Sequence, residues 1–387
     1  MKKTDNRTPL RFQADLVKPG RRLLTSLADL FLFYIITASI YMLGVYQLVK
    51  VFPSFKNAQE NQEVSLANCK NMYLDGHLMY YDQTGSVMTS DALIHRYVVD
   101  KVNKGDVDEQ GNYYDPFYYF YLTYASDNLK SGGEVLHYST DYLKNDIYQI
   151  NNQNDPILWD SSYDGVVRLT DDARTHINKY MNNDVTAENK PYYDKIVDFY
   201  KNNLVEAEKV LLNSDQYIKE NSIVMKENQI IYYHFTISSI ITYVIFFGLY
   251  FVLVPALFKN GQTFGDRVLK ISYVDKEDKP ISFSTLLLKS ILRLLAYFYM
   301  PLFIPYLILG NAIFVLPLFS IMDFTISLWL PAIIGALLCI ASLIMNIATE
   351  YKQNLYDKIV DNYALDLRNI HPIEDEITEK KEEETWK

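Results

Sequence analysis

Residues 21–50 read RRLLTSLADLFLFYIITASIYMLGVYQLVK. Two arginines open the stretch and Lys50 closes it; the only charge between them is Asp29, seven residues after Arg22. The apolar run exceeds the roughly 20 residues that cross a bilayer core, so it reads as a membrane span. A carboxylate inside such a span is costly unless something neutralises it. The partner of Asp29 is therefore the question on which the architecture turns.

Three further apolar stretches follow, at 230–258, 284–318 and 325–348, each long enough to span. The first run is too long for a cleavable signal and lacks a small-residue cleavage pattern, so it reads as a retained anchor. The expected organisation is a basic cytoplasmic arm over 1–22, a first span over 23–51 and an outer domain over 52–228. A second span (229–258), a cytoplasmic loop (259–283) and a kinked third span (284–318) follow. A fourth span (325–348) and a cytoplasmic tail (349–387), disordered at its end, complete the chain. Residues 1–22 hold seven Lys or Arg against Asp5 and Asp15, which by the positive-inside rule puts both termini in the cytoplasm. The outer segment carries 16 basic and 28 acidic residues, a net of −12 against −10 for the whole chain. This acidic, unclustered balance argues against nucleic acid as a partner. Cys69 and Cys339 lie at different depths and form no disulfide framework. Abundant Asn, Lys, Ile and Tyr, with no glycosylation acceptor in the outer segment, point to the cell membrane of a Gram-positive-type bacterium.

Within the outer segment, NMYLDGHLMYYDQTG (71–85) predicts a small hairpin around Asp75-Gly76 and Thr84-Gly85. DALIHRYVVDKV (91–102) predicts a helix with Asp91 as its cap. PFYYFYLTYASDNL (116–129) fits a helix or a buried strand, and its tyrosines suit a core better than a sugar- or peptide-binding surface. Helices are expected from Thr170, as cap, to Met181, and over 191–212 with Pro191 in the first turn. The reading is a mainly helical domain with little sheet. In the cytoplasmic loop, ISYV before DKEDKP predicts a short strand and turn, or an extended segment on the membrane face. Pro301, Pro305 and Pro317 predict a kinked or broken third span.

Lys289 and Arg293, four residues apart, share one face of the third span. With boundaries near Leu23 and Ser284, Asp29 lies about 9 Å deep, Lys289 about 7 Å and Arg293 about 13 Å at 1.5 Å per residue. The expected pairing is Asp29 with Lys289 or Arg293, locking the first and third spans together; the sharper alternative is that Asp29 lines an ion or proton path. Arg22 either shares this network or snorkels to the headgroups.

The order of Arg22 and Asp29, the loop GQTFGDRVLKISYVDKEDKPIS (261–282), the basic entry at Lys289 and Arg293, and QNLYDKIVDNYALD (353–366) resembles the RDD family of bacterial membrane proteins. The resemblance covers roughly 1–50 and 229–366. It implies that Arg22, Asp29 and Asp357 are the arginine and two aspartates for which the family is named. It also implies that Gly261, Gly265, Arg267, Asp357 and Lys358 belong to its cytoplasmic motifs. Asp266 stands where the family has lysine, Tyr356 replaces a common histidine, and Val360-Asp361-Asn362 replaces A-G-T. Some members are proposed to act in ion transport or sodium–proton exchange. On physical grounds the two glycines let the backbone turn sharply, Arg267 and Lys270 suit lipid phosphates, and Asp357 with Lys358 can return to pair with Arg267 or Arg22.

The six histidines, His77, His95, His137, His176, His234 and His371, are scattered and form no zinc motif. VNKGDVDEQG, with Asp106, Asp108 and Glu109, lacks calcium-loop spacing and reads as a solvated acidic turn. No P-loop, nucleophile elbow or dinucleotide fingerprint occurs. The expectation is therefore an all-α membrane protein: a four-helix, RDD-like transmembrane bundle plus a mainly helical extracellular domain. It is expected to be no enzyme, with no catalytic residue, metal or cofactor. The expected partners are the lipid bilayer and an envelope protein, and a homo-oligomer is compatible with the pattern. The alternative is an ion or small-solute transporter using Asp29 with Lys289 and Arg293.

Overall fold

The computed structural model describes residues 14–104, 115–160, 166–258, 261–297, 317–321, 324–327 and 329–370. The chain divides into two compact units, Met1–Asn57 with Gln229–Lys387, and Ala58–Asn228. In chain order the first unit contains β1 (Ala14–Leu16), α1 (Pro19–Lys50), α2 (Asp215–Leu257, which joins it at Gln229), a short α3 (Phe264–Val268) and β2 (Ile271–Val274). There follow α4 (Phe283–Ala296), the hairpin strands β3 (Pro317–Ile321) and β4 (Phe324–Ser327), α5 (Trp329–Ala348), a short α6 (Leu355–Ile359) and β5 (Tyr363–Ile370).

Among the described residues, α1, α2 and α5 are long and apolar enough to cross a membrane. Even the shortest, α5 with 20 residues, reaches about 30 Å at 1.5 Å per residue. Their polarity runs opposite to that of a water-soluble helix. On α1 the buried stripe is Arg22, Thr25, Asp29, Phe33 and Thr37, one helical face. Leu24, Leu27 and Phe31 on the other faces are 56, 55 and 69% exposed. A helix that hides its polar groups and presents leucine outward is adapted to hydrocarbon. Phe33 packs edge-on against Tyr243 and Phe247 of α2, and the Tyr41 hydroxyl donates to the Phe235 carbonyl at 3.1 Å.

Several expected boundaries move. Pro19 is the first residue of α1 and Ala14–Leu16 is a strand, so the arm expected over 1–22 is already structured from Ala14; residues 1–13 lie outside the described residues. The first span ends at VFPSF, where Pro53 disfavours helical backbone in the residue before it. The break falls at Val51 and Phe52, and Pro53 opens the helix Pro53–Asp75, where a missing N–H costs nothing. The third span expected over 284–318 is helical over Phe283–Ala296, and Pro317 starts β3. The 14 residues of this helix reach about 21 Å, and 298–316 lie outside the described residues. Pro301 and Pro305 lie outside the described residues.

A three-stranded antiparallel sheet, in the order β1-β5-β2, was not expected from the sequence. Ile271 pairs with Asp366 and Val274 with Tyr363; on the other edge Leu16 pairs with Leu365. All four residues of β2 are buried. One face packs Ile271, Tyr273 and Ala364 with Val17, the other Val274, Tyr363 and Leu365 with Ala14. This is the period-two alternation of a strand covered on both sides.

The unit Ala58–Asn228 is built on the helices Pro53–Asp75, Ser90–Asn103, Asp171–Met181, Lys190–Leu212 and the start of α2. Thr89, not Asp91, caps the second, accepting from the Ala92 amide at 3.4 Å. Thr170 caps the third, and Pro191 lies in the first turn of the fourth. Residues 116–128 are helical, with Phe117, Tyr118, Phe120 and Tyr121 fully buried, so these aromatics form core rather than a binding face. Two short hairpins pair Lys130–Ser131 with Glu134–Val135 and Trp159–Asp160 with Arg168–Leu169. The hairpin expected over 71–85 is reduced to one bridge, Tyr81 with Val87, because Pro53–Asp75 consumes its first half. An ion pair, Lys101 with Asp115 at 3.3 Å, is sealed in this core. Asp115 also caps the helix at Pro116, and Lys101 donates to the Val167 carbonyl at 2.9 Å. Asp106, Asp108 and Glu109 lie outside the described residues.

Candidate functional site: a buried charge cluster

Six ionisable side chains are buried together where α1, α3, α4, α6 and the sheet meet: Arg22, Lys289 and Arg293, with Asp29, Asp266 and Asp357. Equal numbers of each sign satisfy the requirement that buried charge be compensated. The way they sort is not the expected one.

Asp29 receives neither basic residue of α4. Its Oδ1 accepts from the Gly265 amide at 2.8 Å and the Tyr250 hydroxyl at 2.9 Å, and its Oδ2 accepts from the Thr263 hydroxyl. Three donors from α2 and the turn into α3 take the place of a cation, an allocation that helix-rise arithmetic does not include. Gly265 is required here: a Cβ would stand 2.8 Å from Oδ1 of Asp29 and 3.1 Å from the Thr25 carbonyl oxygen. Gly261 has φ +63°, the left-handed region that favours glycine.

Asp266 forms a capping box with Thr263, accepting from its amide at 3.1 Å and its hydroxyl at 2.8 Å. Tyr273 donates to its other oxygen at 3.3 Å. The Thr263 hydroxyl thus stands between two carboxylates while owning a single proton.

Asp357 is the acid that collects cations. Arg22 donates to Oδ2, and Lys289 lies 2.8 Å from Oδ1. Arg22 also donates to the Lys352 carbonyl. Lys289 rests 3.2 Å from the centre of the Tyr273 ring. Burial alone would raise the Asp357 carboxyl, but Lys289 and Arg22 hold it below its ordinary value. Arg293 stands between two rings, 5.0 Å from Phe251 and 4.9 Å from Tyr356. Tyr356 therefore supplies a π face to a cation.

Of the residues singled out from sequence, Arg22, Asp29, Gly265, Lys289, Arg293 and Asp357 converge. Arg267 and Lys358 do not: both are exposed, and the Arg267 guanidinium lies over Phe258 at 4.5 Å. Sequence reasoning missed Tyr250, Thr263 and Tyr273. Thr263 sits inside the quoted loop motif; Tyr250 carries no sequence signal beyond its place in an apolar run.

The model of the RDD family matches residues 210–361. Asp357 and the loop 261–282 lie inside that stretch, whereas Arg22 and Asp29 precede it by far. The fold returns both to it, Asp29 onto Thr263 and Gly265, and Arg22 onto Asp357. No curated protein and no solved structure matches the chain.

Proposed function

We propose that this RDD-type membrane protein uses its membrane unit to hold an acidic, helix-rich domain outside the cell for assembly with an envelope partner. The observation that carries the reading is that Ala58–Asn228 is a compact unit with its own aromatic core, inserted between two apolar helices. A domain that folds around its own core exposes a surface free to recognise something else. The basic residues before α1 orient it outward by the positive-inside rule. Both termini are then cytoplasmic, and no catalytic chemistry is needed.

The test has two arms. A cysteine at an exposed turn of the domain, Gln83→Cys, is labelled by a membrane-impermeant maleimide in intact cells. Crosslinking through the same position then captures a discrete envelope protein; with amine crosslinking of intact cells and purification through a terminal tag, the full chain retains that protein and a chain lacking 60–225 loses it while its membrane unit still inserts. Absence of outside labelling, or capture unchanged by the deletion, overturns the reading.

The second reading is transport of an ion or small solute through Asp29 with Lys289 and Arg293. What favours it is the pair of carboxylates sharing the Thr263 hydroxyl, an arrangement suited to passing a proton. It requires Asp29→Asn to abolish flux in proteoliposomes while abundance is unchanged. The assembly reading requires that substitution to act on folding alone.

A further inference from the structure

A cavity of about 220 Å³ lies in the membrane unit between α1, α4, α5 and α6. One end is polar, lined by Arg22, Ser342, Asn346, Asn354 and Tyr356. The other is apolar, lined by Leu30, Ala296 and Cys339. Arg22 and Leu30 are eight residues apart on one helix, so polarity changes over about 12 Å. Leu27 and Ile340, at its rim, are 55 and 56% exposed, so the cavity borders the surface that α1 and α5 offer to hydrocarbon.

Two buried atoms of the polar end have no hydrogen-bond partner among the described residues, Arg22 Nε and Asn346 Oδ1. Their residues are 3 and 2% exposed. Leaving such a donor and acceptor empty costs about 1–3 kcal/mol each, so native structures rarely do. The orientation of Asn346 is fixed, because its Nδ2 donates to the Pro19 carbonyl at 3.4 Å and a flipped amide would set two carbonyl oxygens face to face. Charge adds to the argument: the open donor at the polar end belongs to a guanidinium, which favours an anionic acceptor.

We infer that this cavity binds an anionic phospholipid of the surrounding bilayer, with the phosphate at Arg22 Nε–H and a headgroup hydroxyl donating to Asn346 Oδ1. The start of the acyl region lies toward Leu30 and Cys339. A phosphate ester bearing a hydroxyl is the shared chemistry, and a soluble glycerol phosphate would offer it too. The apolar end and its lipid-facing rim select the membrane-borne form.

The test uses the full chain in nanodiscs made from phosphatidylglycerol and phosphatidylcholine, read by native mass spectrometry. The wild-type protein retains phosphatidylglycerol over phosphatidylcholine. Asn346→Leu lowers its occupancy roughly fivefold, the loss of one hydrogen bond to the headgroup hydroxyl. Cys339→Phe fills the apolar end without touching a polar contact and lowers occupancy as well, so the inference stays testable if Asn346→Leu fails to fold. Leu48→Phe, on the lipid-facing surface away from the cavity, leaves it unchanged. Equal retention of both lipids, or full occupancy in a folded Cys339→Phe protein, overturns the inference. Displacement of the lipid by millimolar glycerol 3-phosphate overturns it in favour of a soluble ligand.

Discussion

Asp29 and Asp357 are both buried acids of the same cluster, yet they are held by different means. Asp357 compensates two cations, and replacing it by asparagine strands Arg22 and Lys289 in a buried site; the expected cost is about 3–5 kcal/mol. Asp29 is held by hydroxyl and amide donors, and an asparagine can still accept from Gly265 and Tyr250 while its amide group faces Thr263. Asp29→Asn therefore costs about 1 kcal/mol. Thermal unfolding in detergent should rank the two variants in that order, and the reverse order would mean that Asp29 is the ion-paired acid after all. The difference also depends on pH. The Asp357 carboxyl lies below its ordinary value in the fold, so its contribution is complete above about pH 4 and disappears as pH falls through the folded-state value. The gap between wild type and Asp357→Asn should close on that descent. At this scale the sequence was informative about which residues matter and silent about how they pair. Counting rise along two helices brackets Asp29 with Lys289 and Arg293, but a loop that turns at Gly261 and enters α3 at Phe264 brings Thr263 and the Gly265 amide to the carboxylate first.

At the scale of elements, apolar length and helical spacing were enough to locate α1, α2 and α5, because a bilayer-crossing helix needs a long unbroken signal. The strand at ISYV was legible from its four consecutive buried-type residues. Its partner was not: NYALDLRNI alternates charges with apolar residues at the start of a polar tail, and nothing local announces that it forms the centre of a sheet. Thr89 displaced Asp91 as a cap because the helix starts at Ser90, two residues before an Asp91 cap would place it, a boundary that spacing alone does not fix. The central position of β5 gives a direct test. Leu365→Pro removes a donor from the middle strand, where proline is not tolerated, and should abolish hydrogen-exchange protection of Ile271–Val274 on the opposite edge. Protection retained there would show that β2 is held by α3 and α4 without β5.

Over the whole chain, one sequence is written for two solvents. The membrane unit buries arginine, lysine and aspartate and exposes leucine, while Ala58–Asn228 buries tyrosine and phenylalanine and carries most of the chain's acids. Composition averaged over all residues conceals this, and only the segmental reading separates the two. The units should also answer acid differently. In Ala58–Asn228, burial and the neighbouring Arg96 push His77 below its ordinary value, and its ring stacks on Tyr119 at 4.0 Å. The fold therefore favours neutral His77, and stability falls as pH drops below about 6.5 toward the folded-state value. Hydrogen exchange over 76–81 in the full protein should accelerate across that interval, and His77→Phe should flatten the response. The membrane unit keeps its Asp357 contribution until the pH is far lower.

The β1-β5-β2 order sets a schedule for biogenesis. Ala14–Leu16 leaves the ribosome long before Tyr363–Ile370, and the carboxylate that answers Arg22 is translated 335 positions after it. At about 5–20 residues per second, that guanidinium waits roughly 20–70 s for its counter-ion. Until then lipid phosphates are the anions within its reach, and insertion precedes closure of the sheet. A nascent chain stalled before residue 357 would present a membrane-anchored arginine still bound to lipid, a state for quality control to recognise as unfinished.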